Sequence, residues 1–121
     1  MSHPMQSLVN RKCQPCEKGT SPLTTSEVQD YVQGVPDWHI GEDGKSIFRE
    51  FVMKDFVAGV QLIDLIAQIA EAEDHHPDLH LTGYRKLKVE LATHSIDGLS
   101  QNDFILAAKI DQLPKVLKKS P

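Results

Sequence analysis

Two adjacent histidines, His75 and His76, are the residues of this chain best suited to proton transfer. Imidazole titrates near neutral pH, so either ring can donate or accept a proton under physiological conditions. Pro77 follows directly, and a proline ends or kinks a helix that runs into it. The pair is therefore predicted at the end of a helix, where it serves either general acid/base chemistry or complementation of the helix dipole.

The competing interpretation of these histidines is a metal site, because imidazole and carboxylate side chains are common ligands of zinc and iron. Three histidines fall within residues 74–80, the third being His80. Their order matches neither HExxH nor another common ligand spacing. Adjacent residues usually point in different directions, which suits two roles around a substrate better than two bonds to one ion. General acid/base chemistry therefore fits better than a metal site, and complementation of the helix dipole stays open beside it.

Two further candidates lie later in the chain. His94 follows residues 87–93, in which apolar and polar residues alternate with the period of a half-buried strand. If the alternation continues, its ring points outward. Asp103 stands three residues after Ser100, the spacing of a helix capping box. Taken alone, it is more simply a capping carboxylate than a site residue.

The elements that must position these residues follow from local signals. Thr24 and Glu27 have capping-box spacing at the start of a short helix. Residues 38–40 and 47–52 flank an Asp-Gly step and predict a β-hairpin. Asp55 has the features of an N-cap for a long helix that is apolar around most of its girth. Such a helix needs cover on two sides, from the sheet and from a neighbouring helix or a second subunit.

The order helix, hairpin, helix, strand, helix predicts an α+β fold, with a small antiparallel sheet of about four strands and three helices packed on one face. A strand through Gly83 and Tyr84 is expected to supply the remaining position in the sheet. Pro114 should end or kink the last helix. Residues 1–22 are predicted to be a loosely ordered N-terminal arm, and residues 23–121 the domain.

Composition argues against two classes of partner. The chain has 121 residues, a formal net charge of −4 and 25% charged residues, values typical of an ordinary soluble domain rather than of a nucleic-acid binder. No apolar run approaches the roughly 20 residues that cross a bilayer, and the polar start lacks the apolar stretch of a signal peptide. A cytoplasmic protein without a membrane partner is therefore predicted.

Cys13 and Cys16 are the only cysteines and form a single CxxC among turn-forming residues. The simplest interpretation is two reduced thiols in the N-terminal arm. A zinc site shared with His3 and a redox pair are the alternatives, although four zinc ligands of common spacing are not present.

Taken together, these motifs resemble the pterin-4a-carbinolamine dehydratase family over nearly all of residues 22–113. The matching residues are Trp38, Ile47-Phe48-Arg49-Glu50-Phe51, Lys54-Asp55-Phe56, Ala70-Glu71, His75-His76-Pro77-Asp78, Tyr84, Thr93-His94, Gly98-Leu99 and Asp103. The chain departs from the pattern at Leu79, where some members carry an aromatic residue. It is also one residue longer over residues 79–83 than the vertebrate type.

The resemblance implies a lyase that dehydrates 4a-hydroxytetrahydropterin to quinonoid dihydropterin and so recycles tetrahydrobiopterin after aromatic amino acid hydroxylases have used it. It implies no metal and no organic cofactor. The step needs a proton delivered to the leaving hydroxyl and another removed from the ring nitrogen. Groups that titrate near the working pH, such as histidines, can do both.

The same resemblance implies a set of site residues. The catalytic or substrate-contacting residues are His75, His76 and His94. Of these, His75 and His94 are the expected acid/base pair, and His76 is expected to hydrogen-bond the pterin or orient the leaving water. Asp103 is implied to orient a histidine, and Glu71 to support the site from one helical turn before His75. The other implied substrate-binding residues are Pro77 and Asp78.

Two alternative functions stay open. Some animal members also serve as dimerisation cofactors of a homeodomain transcription factor, through helical surface rather than through the histidines. The second alternative is a pterin-binding protein of molybdopterin metabolism. The same site would bind the pterin in that role. A homodimer or homotetramer is expected from the family and agrees with the two-sided apolar helix.

Overall fold

The computed structural model describes residues 8–15 and 19–119. Its α-helices of eight or more residues are α1 (Thr25–Val32), α2 (Phe56–Glu73) and α3 (Gln101–Asp111). Its strands are β1 (His39–Ile40), β2 (Ile47–Val52), β3 (Asp78–Thr82) and β4 (Lys86–Leu91), and a short 3-10 turn covers His94–Ile96. The predicted α+β fold is confirmed.

The four strands form one antiparallel sheet in the order β1-β2-β4-β3. Leu87, Val89 and Leu91 of β4 are buried, as their alternation predicts. Ile47 of β2 lies opposite Leu91, and Phe51 lies opposite Leu87, so both strands present apolar side chains to one face. The core lies between this face and buried residues of α2 and α3, among them Leu62, Ile66, Phe104, Leu106 and Ile110.

The prediction of a strand through Gly83 and Tyr84 is wrong, because both residues form a turn with positive φ angles of 53° and 57°. The strand lies just before it, at Asp78–Thr82, and pairs with β4. Leu79 and Leu81 are partly buried and pack against the core, while His80 between them is exposed. This alternation is only five residues long, which makes it a weak local signal.

Helix α2 begins and ends through local hydrogen bonds. The side chain of Asp55 accepts from the Ala58 N–H at 2.8 Å, as predicted for an N-cap. The helix ends at Glu73 rather than at Pro77, since Asp74 adopts a left-handed conformation with φ of 52°. The N–H groups of Asp74 and His75 both donate to the Ala70 carbonyl, which closes the last turn. His75 and His76 therefore follow the helix and lie outside it.

A buried carboxylate ties α3 to the sheet. Asp111 accepts from the Trp38 indole N–H at 2.9 Å and from Arg49 at 2.7 Å. Burial raises the pKa of Asp111, and the bonds from Trp38 and Arg49 oppose that rise. Trp38 thus has a structural role at the far end of α3 from Asp103. Among the described residues, no helix is both long and apolar enough to cross a bilayer.

Candidate active site

His75 and Asp103 form the central contact of the site. The first follows α2, the second lies in the first turn of α3, and His75 Nε2 lies 2.7 Å from Asp103 Oδ1. The carboxylate is fully buried, and the imidazole side chain is 12% exposed. The other oxygen, Asp103 Oδ2, accepts from the Thr93 hydroxyl at 2.8 Å and from the Ser100 N–H at 3.0 Å. One carboxylate therefore joins the end of α2, the end of β4 and the start of α3.

This contact fixes the proton on one nitrogen of His75. An ionised carboxylate can only accept hydrogen bonds, so the neutral ring must carry its proton on Nε2, facing Asp103. Nδ1 is then the nitrogen that can accept a proton from a ligand. A carboxylate in this position also holds the orientation of the ring. The arrangement suits a general base whose conjugate acid can later return the proton.

Asp103 also completes the predicted helix cap. Ser100 and Asp103 form a capping box at the start of α3, so the carboxylate both caps the helix and contacts His75. Thr93 hydrogen-bonds the Ser100 hydroxyl as well, at 2.8 Å, and both hydroxyl groups are buried. The local capping interpretation of Asp103 is thus correct but incomplete.

His76 has a different partner and a different environment. Its Nε2 lies 2.5 Å from Glu71 Oε2, and the two side chains are 54% and 77% exposed. Glu71, which the resemblance implied to support the site, therefore contacts His76. The structure separates the adjacent histidines into a buried pair with Asp103 and an exposed pair with Glu71.

His94 is the first residue of the 3-10 turn and is exposed. It lines a cavity of about 230 Å³ together with residues that include Asp78, Glu90 and Asp97. His75 lines a second cavity, of about 420 Å³. Thr93 contributes to both, so the two cavities share a wall that Asp103 holds in place. Pro77 lies between the two histidines and the start of β3 at Asp78.

Sequence reasoning missed several residues of the His75 cavity, among them Cys13, Gln14 and Pro15. These three belong to the predicted arm, where no periodic pattern or motif indicates a contact with the domain. The alternative zinc site would use Cys13, Cys16 and His3. Of these, Cys16 and His3 lie outside the described residues. In the part of the chain that is described, no three His, Cys, Asp or Glu side chains are grouped so that they could hold a metal ion.

Glu73 connects the arm to the end of α2. It accepts from the Cys13 N–H at 2.8 Å and from Lys109 Nζ at 3.0 Å. Burial alone would raise the pKa of Glu73, but the bonds from Cys13 and Lys109 outweigh it and lower the pKa below its ordinary value. Its stabilising effect is therefore fully present above the pKa of the unfolded chain, about 4.3, and is lost as pH falls through the lower folded value.

A Glu73→Gln variant is expected to be less stable than the wild type by about 1 kcal/mol at pH 7, because glutamine keeps an acceptor for Cys13 but loses the charge that attracts Lys109. The difference should shrink as pH falls below about 4.3, where the carboxylate of the unfolded chain and then that of the folded chain become protonated. Urea unfolding at several pH values measures it, with Glu50→Gln as an exposed control. A difference that stayed constant with pH would contradict this origin of the stability.

Comparison with known proteins places these residues in a family. The family model described as Pterin 4 alpha carbinolamine dehydratase matches residues 21–113. The chain belongs to this family. It is 42% identical over 112 residues to the Arabidopsis thaliana protein named pterin-4-alpha-carbinolamine dehydratase 2, mitochondrial, and covers 60% of that longer protein with 90% of its own length.

Two further relatives extend the comparison within the pterin-4a-carbinolamine dehydratase family. A Halorhodospira halophila protein, whose name assigns it this dehydratase activity provisionally, is 40% identical over 107 residues, which are 88% of this chain and 97% of that protein. A crystal structure from Brucella melitensis, titled transcriptional coactivator/pterin dehydratase, superposes with a TM-score of 0.70 at 32% identity. The match covers 75% of this chain and 96% of that one. The predicted family is confirmed.

Proposed function

We propose that this protein dehydrates 4a-hydroxytetrahydropterin to quinonoid dihydropterin by histidine general acid/base catalysis. Membership of the dehydratase family supports the reaction class. The observation that carries the mechanism is the 2.7 Å contact of His75 with the buried Asp103, at the wall of a cavity. A cavity of about 420 Å³ falls in the range of small-molecule sites.

The reaction removes water across one bond of the pterin ring. The C4a hydroxyl takes up a proton and leaves as water, and the neighbouring ring nitrogen gives up its proton as the double bond to C4a forms. His75, with Nε2 bound to Asp103, offers Nδ1 for one of these transfers. His94, on the other side of Thr93, is the proposed partner for the other transfer. His76 is proposed to hydrogen-bond the pterin or the leaving water, with Glu71 setting its orientation.

The direct test is the disappearance of the 4a-carbinolamine, followed by ultraviolet absorbance with the purified chain. The wild-type protein is expected to speed dehydration far above the spontaneous rate, and to do so after dialysis against a chelator. Absence of any acceleration would overturn the proposed activity. Loss of activity on chelation, together with stoichiometric zinc in the purified protein, would overturn the metal-free mechanism.

The wider setting of the reaction is proposed on the same basis. We propose that the product feeds the recycling of tetrahydrobiopterin for aromatic amino acid hydroxylases, in the cytoplasm. A homodimer or homotetramer is proposed because α2 leaves apolar side chains uncovered: Phe56 is 54% exposed, Val57 61% and Val60 45%. Exposed apolar groups grouped on one helix are typical of an interface.

The same surface supports a second candidate, a protein-binding role. The Brucella melitensis structure has a title that names a transcriptional coactivator as well as a pterin dehydratase. In this chain Phe56 and Val57 start α2, whereas His75 follows its end. A coactivator role would therefore use a surface separate from the histidines, and it would persist in a variant without dehydratase activity.

A further inference from the structure

A segment of the N-terminal arm is bound to the start of α3 by a pair of hydrogen bonds. The Gln14 N–H donates to Asn102 Oδ1 at 2.9 Å, and Asn102 Nδ2 donates to the Gln14 carbonyl at 2.5 Å. A single amide side chain thus satisfies both backbone groups of one arm residue, as a neighbouring strand would. Asn102 is only 4% exposed, so it is held in the orientation that this pairing needs.

The neighbouring arm residues reach the ends of the same two helices. The Cys13 N–H donates to Glu73, the last residue of α2, and the Cys13 thiol lies 3.6 Å from the Asn102 carbonyl oxygen. Arg11 donates to Gln101 at 3.3 Å. Further back, Leu8 is fully buried in the core. The arm is therefore fixed where α2 leads into His75 and where α3 begins before Asp103.

This attachment makes the arm one wall of the His75 cavity. Cys13, Gln14 and Pro15 line it on one side, and His75 with Ser95 lines it from the domain. Without the arm, the cavity would lose these three lining residues and become more open to solvent. A wall in this position adds contacts to a bound ring and excludes water from it, while it supplies no group that titrates at neutral pH.

We propose that Asn102 is a positioning residue, which docks residues 11–15 as a wall that retains the pterin against His75. This inference rests on the proposed function, because the retained ligand is the dehydratase substrate. The wall acts on binding and leaves the proton transfers to the histidines. Releasing it should therefore raise KM and leave kcat nearly unchanged.

The thiol of Cys13 reports on docking independently of activity. Burial, followed by the nearby Glu73 carboxylate, raises the pKa of Cys13 to about 12. A docked thiol therefore stays protonated near pH 8 and reacts slowly with maleimide, since the thiolate is the reactive form. An undocked arm exposes a thiol with a pKa near the ordinary value of about 8.5, which reacts faster.

The experiment uses the full chain with Cys16→Ser, so that Cys13 is the one reactive thiol, and adds Asn102→Ala. The control is Gln68→Ala, which removes an exposed amide side chain of α2 that donates to Asp64 and leaves the bonds to Cys13 and Gln14 intact. A second variant, Asn102→Ala with Glu73→Ala, also removes the side-chain acceptor of the Cys13 N–H. Circular dichroism and thermal melting verify that each variant is folded.

Asn102→Ala is expected to raise the maleimide labelling rate of Cys13 at least about tenfold and KM about tenfold, with kcat within about twofold. Biopterin should slow labelling of the parent protein and of Gln68→Ala, because the ligand lies beneath the docked arm. The double variant should show the same changes at least as strongly. Gln68→Ala should match the parent in all three quantities.

Four results would overturn the inference. They are unchanged labelling in Asn102→Ala, faster labelling with unchanged KM, a fall in kcat as large as the rise in KM, and a rise in kcat/KM, which would identify the arm as an obstruction. Failure of the proposed function looks different, because the parent protein itself would then fail to accelerate dehydration.

Discussion

Replacing His75 with alanine is expected to lower kcat/KM for dehydration about a hundred- to ten-thousand-fold, the usual contribution of a general acid or base. The ring lines the cavity, and its Nδ1 is the nitrogen left for a ligand once Nε2 is bound to Asp103. The fold should survive, because Asp103 keeps two of its hydrogen-bond donors, the Thr93 hydroxyl and the Ser100 N–H. Initial rates from ultraviolet absorbance measure the loss, and near-ultraviolet circular dichroism verifies the packing.

His80→Ala is the matched control for this variant. His80 is an exposed histidine of β3, five residues along the chain, and it carries the same ring. Its removal should leave the rate within about twofold of the wild type, as expected for an exposed substitution away from the site. If His75→Ala dehydrated the carbinolamine at the wild-type rate, His75 would not be the acid or base.

Local signals in the sequence suffice for much of the fold. The capping boxes at Thr24 and Ser100 and the N-cap at Asp55 were predictable because each joins residues only three positions apart. The alternation in β4 identifies its buried face for the same reason. The exit of α2 is less predictable, since the chain leaves the helix at Asp74 through a left-handed conformation that an aspartate only sometimes adopts.

The site depends on contacts that no local pattern encodes. His75 and Asp103 are 28 residues apart, and Cys13 meets Glu73 across 60 residues. Asp103 in particular has two roles, of which one is local. It caps α3, and this role alone accounts for its spacing of three residues from Ser100. The family resemblance indicates that Asp103 orients a histidine, but only the folded arrangement shows which ring it contacts. The arm residues carry no such family signal, so their place in the cavity was missed.

Asp103→Asn is expected to reduce kcat about a hundred- to ten-thousand-fold while the shape of the side chain is preserved. In the wild-type protein the Asp103 carboxylate accepts from three donors, on His75, Thr93 and Ser100. An asparagine has one acceptor oxygen, which the Thr93 hydroxyl and the Ser100 N–H together will hold. Its NH2 group must then face His75 Nε2, so Nε2 becomes an acceptor and the ring proton moves to Nδ1. The nitrogen that should accept a proton from the substrate is thereby blocked.

This account requires that Asp103 acts through His75, which a double variant tests. Asp103→Asn combined with His75→Ala should be no slower than His75→Ala alone. Residues that act as a unit make one shared contribution to the rate, and either substitution removes it. The change of tautomer should also appear in the 15N chemical shifts of the His75 ring, because the protonated nitrogen changes from Nε2 to Nδ1. A purely structural effect of the substitution would not exchange the two nitrogens. Urea unfolding should show a loss of no more than about 1–3 kcal/mol, the cost of one imperfectly satisfied buried group. If the fold-loss of activity in the double variant equalled the two single fold-losses multiplied together, Asp103 would have to contribute to dehydration independently of His75.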